Sequence, residues 1–575
     1  MTHLDRFRPR LVGLGFFLGV ILLASAGIAS GAALPPINNS VAVEESAAPS
    51  SLLTVSPIGS ARQSLSAFSA LSGTLSSKVF LPGIYRNYKP LAPPLCRYGV
   101  AAWGEQLKWL PTWRAGWTLD FGAHAPPASV AAEYVQVIRV RQKKDGCTYL
   151  DGYNTTPSLT ETGLGAIIRQ APGAIWLVGN EPDRGPDPGS CEIGVQDDTY
   201  PEVYARAYHD VYHFIKQRDP TAWVANAGLV QVTPGRLQYL DKMWQEYQAR
   251  YGVPMPVDIW NMHIYILPEL MPDGRPNGIA SIALGTDPAL GMGESGGDPA
   301  RCSDPQVYCY AKHDDLTIFA QQVVAMRTWM KAHGQQNKPL ILSEYSILWP
   351  YIIDPGGGCF LQDEYGNCFT PERVNAFMTR TFDYLETAAD PAFGYPLDDN
   401  RLVQSWMWFS AYFAPGAPMS SLLTPSLNTL SEVGMHFRDE ADKRSGYVNL
   451  LPSAVGGSKG HIGASGGTAT VSLSVDMLNN GNVPVSTPLR ATFYADSSLR
   501  MPIGAAITTS EMRGCAIRST RVSVTWSGLS AGTYPFWVKV DSSNAIHETN
   551  EVDNVAEGAV TVYQYGTYLP LMHRQ

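Results

Sequence analysis

The sequence predicts an α/β fold, a (β/α)8 (TIM) barrel, followed by a C-terminal all-β immunoglobulin-like sandwich. Three observations carry this expectation. Between Tyr98 and about Phe413, short apolar runs alternate with longer amphipathic segments, as repeated strand–helix units do. Eight such runs occur, the number that closes a parallel barrel. Beyond Gly446 the pattern changes to alternating apolar and polar residues, the period of half-buried strands.

The eight runs are Tyr98–Trp103, Gly116–Phe121, Tyr134–Val140, Ala174–Val178, Ala222–Ala227, Asp258–Tyr265, Pro339–Ser343 and Leu402–Phe409. Helical stretches between them include Pro201–Gln217, Arg236–Tyr251, Leu316–His333 and Pro371–Ala388. Pro201 and Pro371 suit a first helical turn, where the missing N–H has no intrahelical partner to lose. The helix after the first run, Gln106–Trp113, is short, and the connection after the second is the least defined. Two connections are long, Leu267–Asp315 after the sixth run and Ile347–Thr370 after the seventh. Both leave strand C-termini, where a barrel carries its active site, so they are expected to wall a cleft or else to be surface insertions. Cys302 with Cys309, and Cys359 with Cys368, would staple them as local pairs. Cys96, Cys147, Cys191 and Cys515 are unassigned, each readable as a buried free thiol.

Thr470–Val475 and Phe536–Val540 alternate strictly, and Asn479-Asn480-Gly481-Asn482 signals a turn. The expected organisation is a signal peptide or N-terminal anchor (1–34), a Ser/Pro-rich linker (35–95), the α/β domain (96–445), a Gly-rich linker (446–464), the sandwich (465–563) and a tail (564–575). Arg6, Arg8 and Arg10 precede the apolar run Leu11–Ala26 and small residues follow, which reads as an export signal or an uncleaved anchor. Either places the rest outside the cytoplasm, secreted or at the cell surface. A formal charge of −9 with no basic block beyond the N-terminus argues against nucleic acid as a partner. An apolar-aromatic phrase occurs twice, at Phe80-Leu81-Pro82 and Tyr568-Leu569-Pro570. It reads as a docking or retention element, or as an edge strand.

The fourth run ends in Val178-Gly179-Asn180-Glu181-Pro182-Asp183 and the seventh in Leu342-Ser343-Glu344-Tyr345. In a parallel barrel both glutamates stand at strand C-termini on one face. A glycosidic oxygen leaves only once protonated, while the anomeric carbon gains oxocarbenium character that a carboxylate can capture. Two carboxyls therefore suffice. Retaining enzymes hold them about 5–5.5 Å apart and inverting ones roughly 6.5–9.5 Å, leaving room for water.

On Asn180-Glu181 and Glu344, the span from Tyr98 to Phe413 resembles the clan of retaining (β/α)8 glycoside hydrolases with an Asn-Glu acid/base on the fourth strand and a Glu nucleophile on the seventh. The resemblance implies Glu181 as general acid/base, Glu344 as nucleophile, and Asn180 as a ligand of the sugar 2-hydroxyl. It implies hydrolysis of a β-linked polysaccharide or oligosaccharide through a covalent glycosyl-enzyme, with no cofactor. The residues alone also allow a dipole-facing carboxylate at Glu181, a solvated loop acid at Glu344 and a turn residue at Asn180. In that case the chain is a noncatalytic carbohydrate-binding or adhesion protein with a degenerate barrel.

His263 and Tyr265 are two apart on the sixth run and point to one side. The resemblance places a histidine or aromatic here beside the nucleophile, a buried structural histidine being the alternative. Trp406 and Trp408 also share a face. Trp408 would give a sugar ring an aromatic platform, unless both indoles pack in the core. Arg139 and Arg141 could orient carboxylates or make surface salt bridges. Asp183, Gln196 and Asp197 stand in a loop, where polar residues are ordinary. His209-Asp210-Val211-Tyr212-His213 has a helical zinc spacing but Asp in place of the metalloprotease Glu, on a helix outside the barrel, so no metal is expected.

Ala545-Ile546-His547-Glu548-Thr549-Asn550-Glu551-Val552-Asp553-Asn554 resembles the closing motif of a bacterial cell-adhesion-related (CARDB-like) family of immunoglobulin-like domains, over roughly 465–563. This implies attachment to the cell surface or a spacing role, with glycan contact and no chemistry. The acidic run reads equally as a calcium site or a turn rich in Asn and Asp.

Overall fold

The computed structural model describes residues 92–565 apart from 128–129, 131, 187–195, 279, 297, 305, 348–366, 414–419 and 509–510. The N-terminal segment, both copies of the Leu-Pro phrase, Cys191, Cys359 and most of the loop after the seventh run lie outside the described residues.

The N-terminal region is α/β. Its strands are β1 (Leu95–Val100), β2 (Ala115–Thr118), β3 (Gln136–Asp145), β4 (Ile175–Val178), β5 (Trp223–Asn226), β6 (Trp260–Ile264), β7 (Leu340–Tyr345) and β8 (Ser405–Trp408). Each overlaps one apolar run. Parallel pairing joins β2 to β1, β1 to β8, β8 to β7 and β7 to β6. A second parallel set joins β3 to β4 and β4 to β5. The sets adjoin through the parallel bridge Ala225–Ile259 and through Glu133–Tyr134, which pairs with β2 immediately before β3.

Strand alternation sorts the side chains into two layers. Ala101, Trp117, Val137, Leu177, Ile341 and Met407 belong to one apolar cluster. Val100, Ile138, Val178, Val224, Leu342 and Trp408 belong to a larger one shared with the helices. Both faces are thus buried, as parallel sheets require. The helices are α1 (Leu164–Ile168), α2 (Pro201–Arg218), α3 (Pro234–Tyr251), α4 (Leu316–Ala332), α5 (Pro371–Thr387) and α6 (Glu432–Asp442). Proline opens α2, α3 and α5; the Asp315 carboxylate caps α4 by accepting from the Thr317 and Ile318 N–H groups.

Units one to three depart from the regular pattern. After β1 the chain coils as a 3-10 helix, Gly104–Trp113, with Pro111 inside it. After β3 it folds straight back as an antiparallel strand, Thr148–Thr156, and only the five-residue α1 precedes β4. Asp145-Gly146, with Gly146 at φ 56°, is the hairpin signal that the apolar periodicity does not register.

The C-terminal region is all-β. One sheet orders β9 (Leu450–Gly457), β11 (Ala469–Asn479) and β14 (Ser519–Leu529). The other orders β10 (Gly460–Ile462), β16 (Val555–Gln564), β15 (Gly532–Lys539), β12 (Arg490–Tyr494) and β13 (Pro502–Ile507). Leu473, Val475, Phe493, Phe536 and Val538 share their core. The stretch 446–464, expected as a linker, instead supplies β9 and β10. Gly446, Gly457 and Gly460 serve packing, a Cβ on Gly457 overlapping Val560.

The two regions are joined covalently. Cys302–Cys309 forms as expected, but Cys96 and Cys515, read as unassigned thiols, bridge β1 to the sandwich across 419 residues. Among the described residues no cysteine is free, and Cys147 and Cys368 are also disulfide-bonded. Around the Cys96–Cys515 bridge, the Arg97 guanidinium pairs with both Asp398 oxygens at 3.1 and 2.9 Å and donates to the Asn480 carbonyl at 3.4 Å. Cys96 N–H donates to Asn482 O at 2.9 Å, Arg518 donates to Gly173 O at 2.6 Å, and Arg518 and Arg513 both pair with Glu133. Cys96, Arg97, Glu133 and Gly173 lie at or just before strand N-termini, so the sandwich docks on the end opposite the one where Glu181 and Glu344 emerge. Among the described residues no helix is long and apolar enough to cross a membrane.

Candidate active site

Glu181 follows β4 on a turn in which Gly179 and Glu181 both take positive φ, 94° and 45°. For glutamate that conformation costs of order 1–3 kcal/mol and persists only where its surroundings impose it. Here Glu181 N–H donates to Gly228 O at 3.0 Å, and Asn180 N–H donates to Asp197 Oδ2 at 2.7 Å. Asp197 is fully buried and paired with Arg139 Nε at 2.6 Å. Arg139 thus meets the acid of the β4 loop directly, and its charge also favours ionised Glu344.

Glu344 arrives by a different device. Leu342 and Tyr345 both pack on the helix side although three residues apart, which strict alternation forbids. A register irregularity between Leu342 and Glu344 breaks the parity and sets Glu344 opposite His263 of β6. Ser343 and Glu344 then both meet β6 side chains.

These elements bring five residues together. His263 Nδ1 lies 3.0 Å from Glu181 Oε1 and 3.8 Å from Glu344 Oε2, while its Nε2 lies 3.1 Å from Ser343 Oγ. The Tyr265 hydroxyl donates to Glu344 Oε1 at 2.9 Å. Carboxylate oxygens of Glu181 and Glu344 and a nitrogen of His263 all lie within 4.8 Å of one another, and the two glutamates are 4% and 6% exposed. Gly228 makes room: a Cβ there would overlap the His263 ring.

Burial, the largest influence, pushes the Glu344 carboxyl up to about 7; His263 and the Tyr265 hydrogen bond oppose it and repulsion from Glu181 adds to it. His263 is shifted upward: burial disfavours its cation, but Glu344 and Glu181 outweigh that. Burial holds the Tyr265 hydroxyl well above the usual phenol range, so it stays a donor.

Asn180 donates from Nδ2 to Gln196 Oε1 at 2.8 Å, beside Glu181. Trp408 corrects the sequence expectation. Its indole is fully buried, meets Tyr345 edge-on at 5.4 Å and donates to Ser420 O at 2.8 Å, so it offers no face to a sugar. Trp406 is buried likewise. With both strand faces apolar, periodicity cannot tell which parity looks inward. On α2, His209 stacks on Tyr251 at 3.7 Å and meets the His213 ring at a tilt of 59°. Among the described residues, the cluster able to hold a metal ion is instead Glu181, His263 and Glu344.

Sequence reasoning missed Ser343, Gly228 and Arg236. Ser343 precedes a chosen glutamate and was masked by the parity rule. Gly228 lies just past an apolar run, where a glycine signals close approach. Arg236 stands at the head of a helix and gives no local signal.

Three comparisons with known proteins complete the description. The CARDB family model matches residues 462–558. No curated protein matches the chain. Among solved structures, a GH128 (subgroup III) curdlan-specific exo-β-1,3-glucanase from Blastomyces gilchristii, in complex with glucose, is 13% identical; the match covers 60% of this chain and 97% of that one, with a TM-score of 0.35. A glucosidase from Croceicoccus marinus is 12% identical over 76% of this chain and 93% of its own, with a TM-score of 0.36. The CARDB domain of a Pyrococcus furiosus protein, in complex with di-metal ions, is 19% identical over 21% and 96%, with a TM-score of 0.16.

Proposed function

We propose that the chain is a retaining glycoside hydrolase of a β-linked polysaccharide or oligosaccharide, exported from the cytoplasm, with its site at the mouth of a (β/α)8 barrel. The observation that carries this reading is the pair of buried glutamates, from the ends of β4 and β7, with oxygens within 4.8 Å. An oxygen–oxygen approach of that size is nearer the roughly 5–5.5 Å separation of the carboxyls in retaining enzymes than the roughly 6.5–9.5 Å of inverting ones, and supports the retaining reading. The closed circuit of parallel pairings supports the barrel, and the absence of free thiols among the described residues supports an oxidising compartment.

In this mechanism Glu181 gives its proton to the glycosidic oxygen as a Glu344 oxygen bonds to the anomeric carbon, and the leaving alcohol departs. Glu181, now ionised, takes a proton from water, whose oxygen displaces Glu344 and restores the first configuration. Tyr265 donates to Glu344 Oε1, and Asn180, beside Glu181, would take the sugar 2-hydroxyl. The CARDB module contributes attachment to the cell surface.

The test is a panel of β-linked polysaccharides with wild type, Glu181→Gln and Glu344→Gln, read by product release and by the anomer first formed. Retention is expected. Glu344→Gln should abolish turnover, and Glu181→Gln should lower it by about 10²–10⁴-fold, the usual worth of general acid catalysis. An inverted first product, or undiminished turnover in Glu344→Gln, would overturn the assignment. The Glu181–His263–Glu344 cluster also suits a metal-dependent hydrolase; activity that needs added divalent ion and vanishes with chelator would favour that reading instead.

A further inference from the structure

The turn that carries Glu181 is gripped from a second side, by charges that the chemistry above leaves unused. Asp183, two residues on, is fully buried and forms an ion pair with Arg236 of α3, Nε and Oδ2 lying 2.8 Å apart. The same guanidinium reaches Glu269 through Nη1 and the Ala280 carbonyl through Nη2 at 2.8 Å, and both Arg236 and Glu269 are fully buried. Glu269 is saturated. It also accepts from Gln231 Nε2 at 2.8 Å, Thr233 Oγ1 at 2.6 Å and the Met292 N–H at 3.0 Å. Glu269, Ala280 and Met292 all belong to the excursion after β6. That excursion touches the Glu181 turn again, where Leu284 N–H donates to Asp183 O at 2.8 Å and Arg184 bridges to Ala283.

Two carboxylates and one guanidinium, all out of water, are costly to assemble, and hydrophobic residues of similar volume would usually hold a fold as well. Their value here is geometric. A planar fork fixes the distance and angle between two anchors as no apolar contact can. One anchor lies two residues from a backbone conformation that glutamate does not adopt unaided.

We propose that Asp183, Arg236 and Glu269 form a buried strut that orients Glu181 toward the glycosidic oxygen, making the excursion after β6 part of the catalytic apparatus. All three are positioning residues. The inference rests on Glu181 being the acid, as proposed above.

The test exploits leaving-group dependence. A dinitrophenyl β-glycoside departs with little proton donation, whereas the unactivated oligosaccharide of the same sugar, chosen from the polysaccharide panel, needs its acid correctly aimed. Arg236→Lys, Asp183→Asn and Glu269→Gln are each compared with wild type on both substrates, alongside circular dichroism and melting temperature. The expected result is a kcat/KM on the oligosaccharide lowered by about 10²-fold, the cost of misplacing a reacting group by about 1 Å, while kcat/KM on the aryl glycoside, which reports the first step alone and needs little proton donation, stays within about threefold of wild type. Arg236→Lys keeps the charge but not the fork, so it should behave like the neutral variants. Equal losses on both substrates, or none, in a folded variant would overturn the strut. If Arg236→Lys does not fold, Glu269→Gln, which preserves side-chain shape, decides alone. Wild-type inactivity on both substrates would instead reject the parent reading of Glu181.

Discussion

Glu181 and Glu344 present oxygens within 4.8 Å of each other, and burial sets when Glu344 ionises. With its carboxyl held up to about 7, Glu344 becomes the ionised nucleophile of the proposed mechanism only as pH rises through that value. kcat/KM should therefore rise as pH approaches about 7 from the acid side, by one proton's worth, in a pH–rate profile. Tyr265→Phe removes a hydrogen bond that favours ionised Glu344, so the limb should move to higher pH while kcat drops. The stability consequence has a definite sign. The folded state binds this proton more tightly than the unfolded one, so the Glu344 contribution is present at acid pH and is lost between the ordinary 4.5 and about 7. Glu344→Gln should flatten the fall in melting temperature across that window. Gly228→Ala provides a separate test: the new methyl must displace the His263 ring, and a shift of about 1 Å should lower turnover by about 10²-fold with the fold retained. At this scale the sequence disclosed the two glutamates, because both end apolar runs, and His263 with Tyr265, because they alternate cleanly. Trp408 was misread because its strand has no polar face to fix the parity.

At the scale of elements, the apolar runs locate all eight parallel strands because each must be buried on both faces, and no surface segment competes for that pattern. The third unit was illegible for the converse reason: Thr148–Thr156 is a largely polar strand whose pairing is dictated by the Asp145-Gly146 turn and not by burial. Glycine content misled at 446–464, where Gly446, Gly457 and Gly460 mark close packing within the sandwich. The β8 strand yields an element-level prediction. Trp408 lies between β7 and α5, edge-on to Tyr345 and Phe382, with its N–H on Ser420 O. Trp408→Ala should cost about 3–5 kcal/mol, by lost burial and an unfilled cavity, measured by denaturant unfolding. A sugar platform predicts another outcome, a raised KM with unchanged stability, so one variant separates the two roles.

At the scale of the whole molecule, the sequence anticipated the order of regions and the CARDB resemblance, which the family match at 462–558 bears out. It could not anticipate how they join, since a bridge across 419 residues leaves no spacing signature. The sandwich proves to be more than a spacer. Its Asn479–Asn482 turn, Cys515 and Arg518 all engage the strand N-termini, and Arg97, fully buried, depends on Asn480 for part of its solvation. Cys515→Ser should lower stability by about 2–5 kcal/mol, since releasing so long a loop enlarges the unfolded ensemble. Truncation after Ser445 should be more severe. It would expose Arg97 and the Glu133 carboxylate, and strip the apolar crevice lined by Pro94, Trp117 and Ile517. The truncated chain is expected to melt well below the full-length protein and to aggregate on heating. Yet the carboxylates stand at the opposite strand ends, so kcat per folded molecule should be unchanged, provided folding is monitored alongside turnover. A truncated chain that melts with the full-length protein would make the module a tether only; one that stays folded but turns over slowly would place the sandwich within reach of the active site, against the topology.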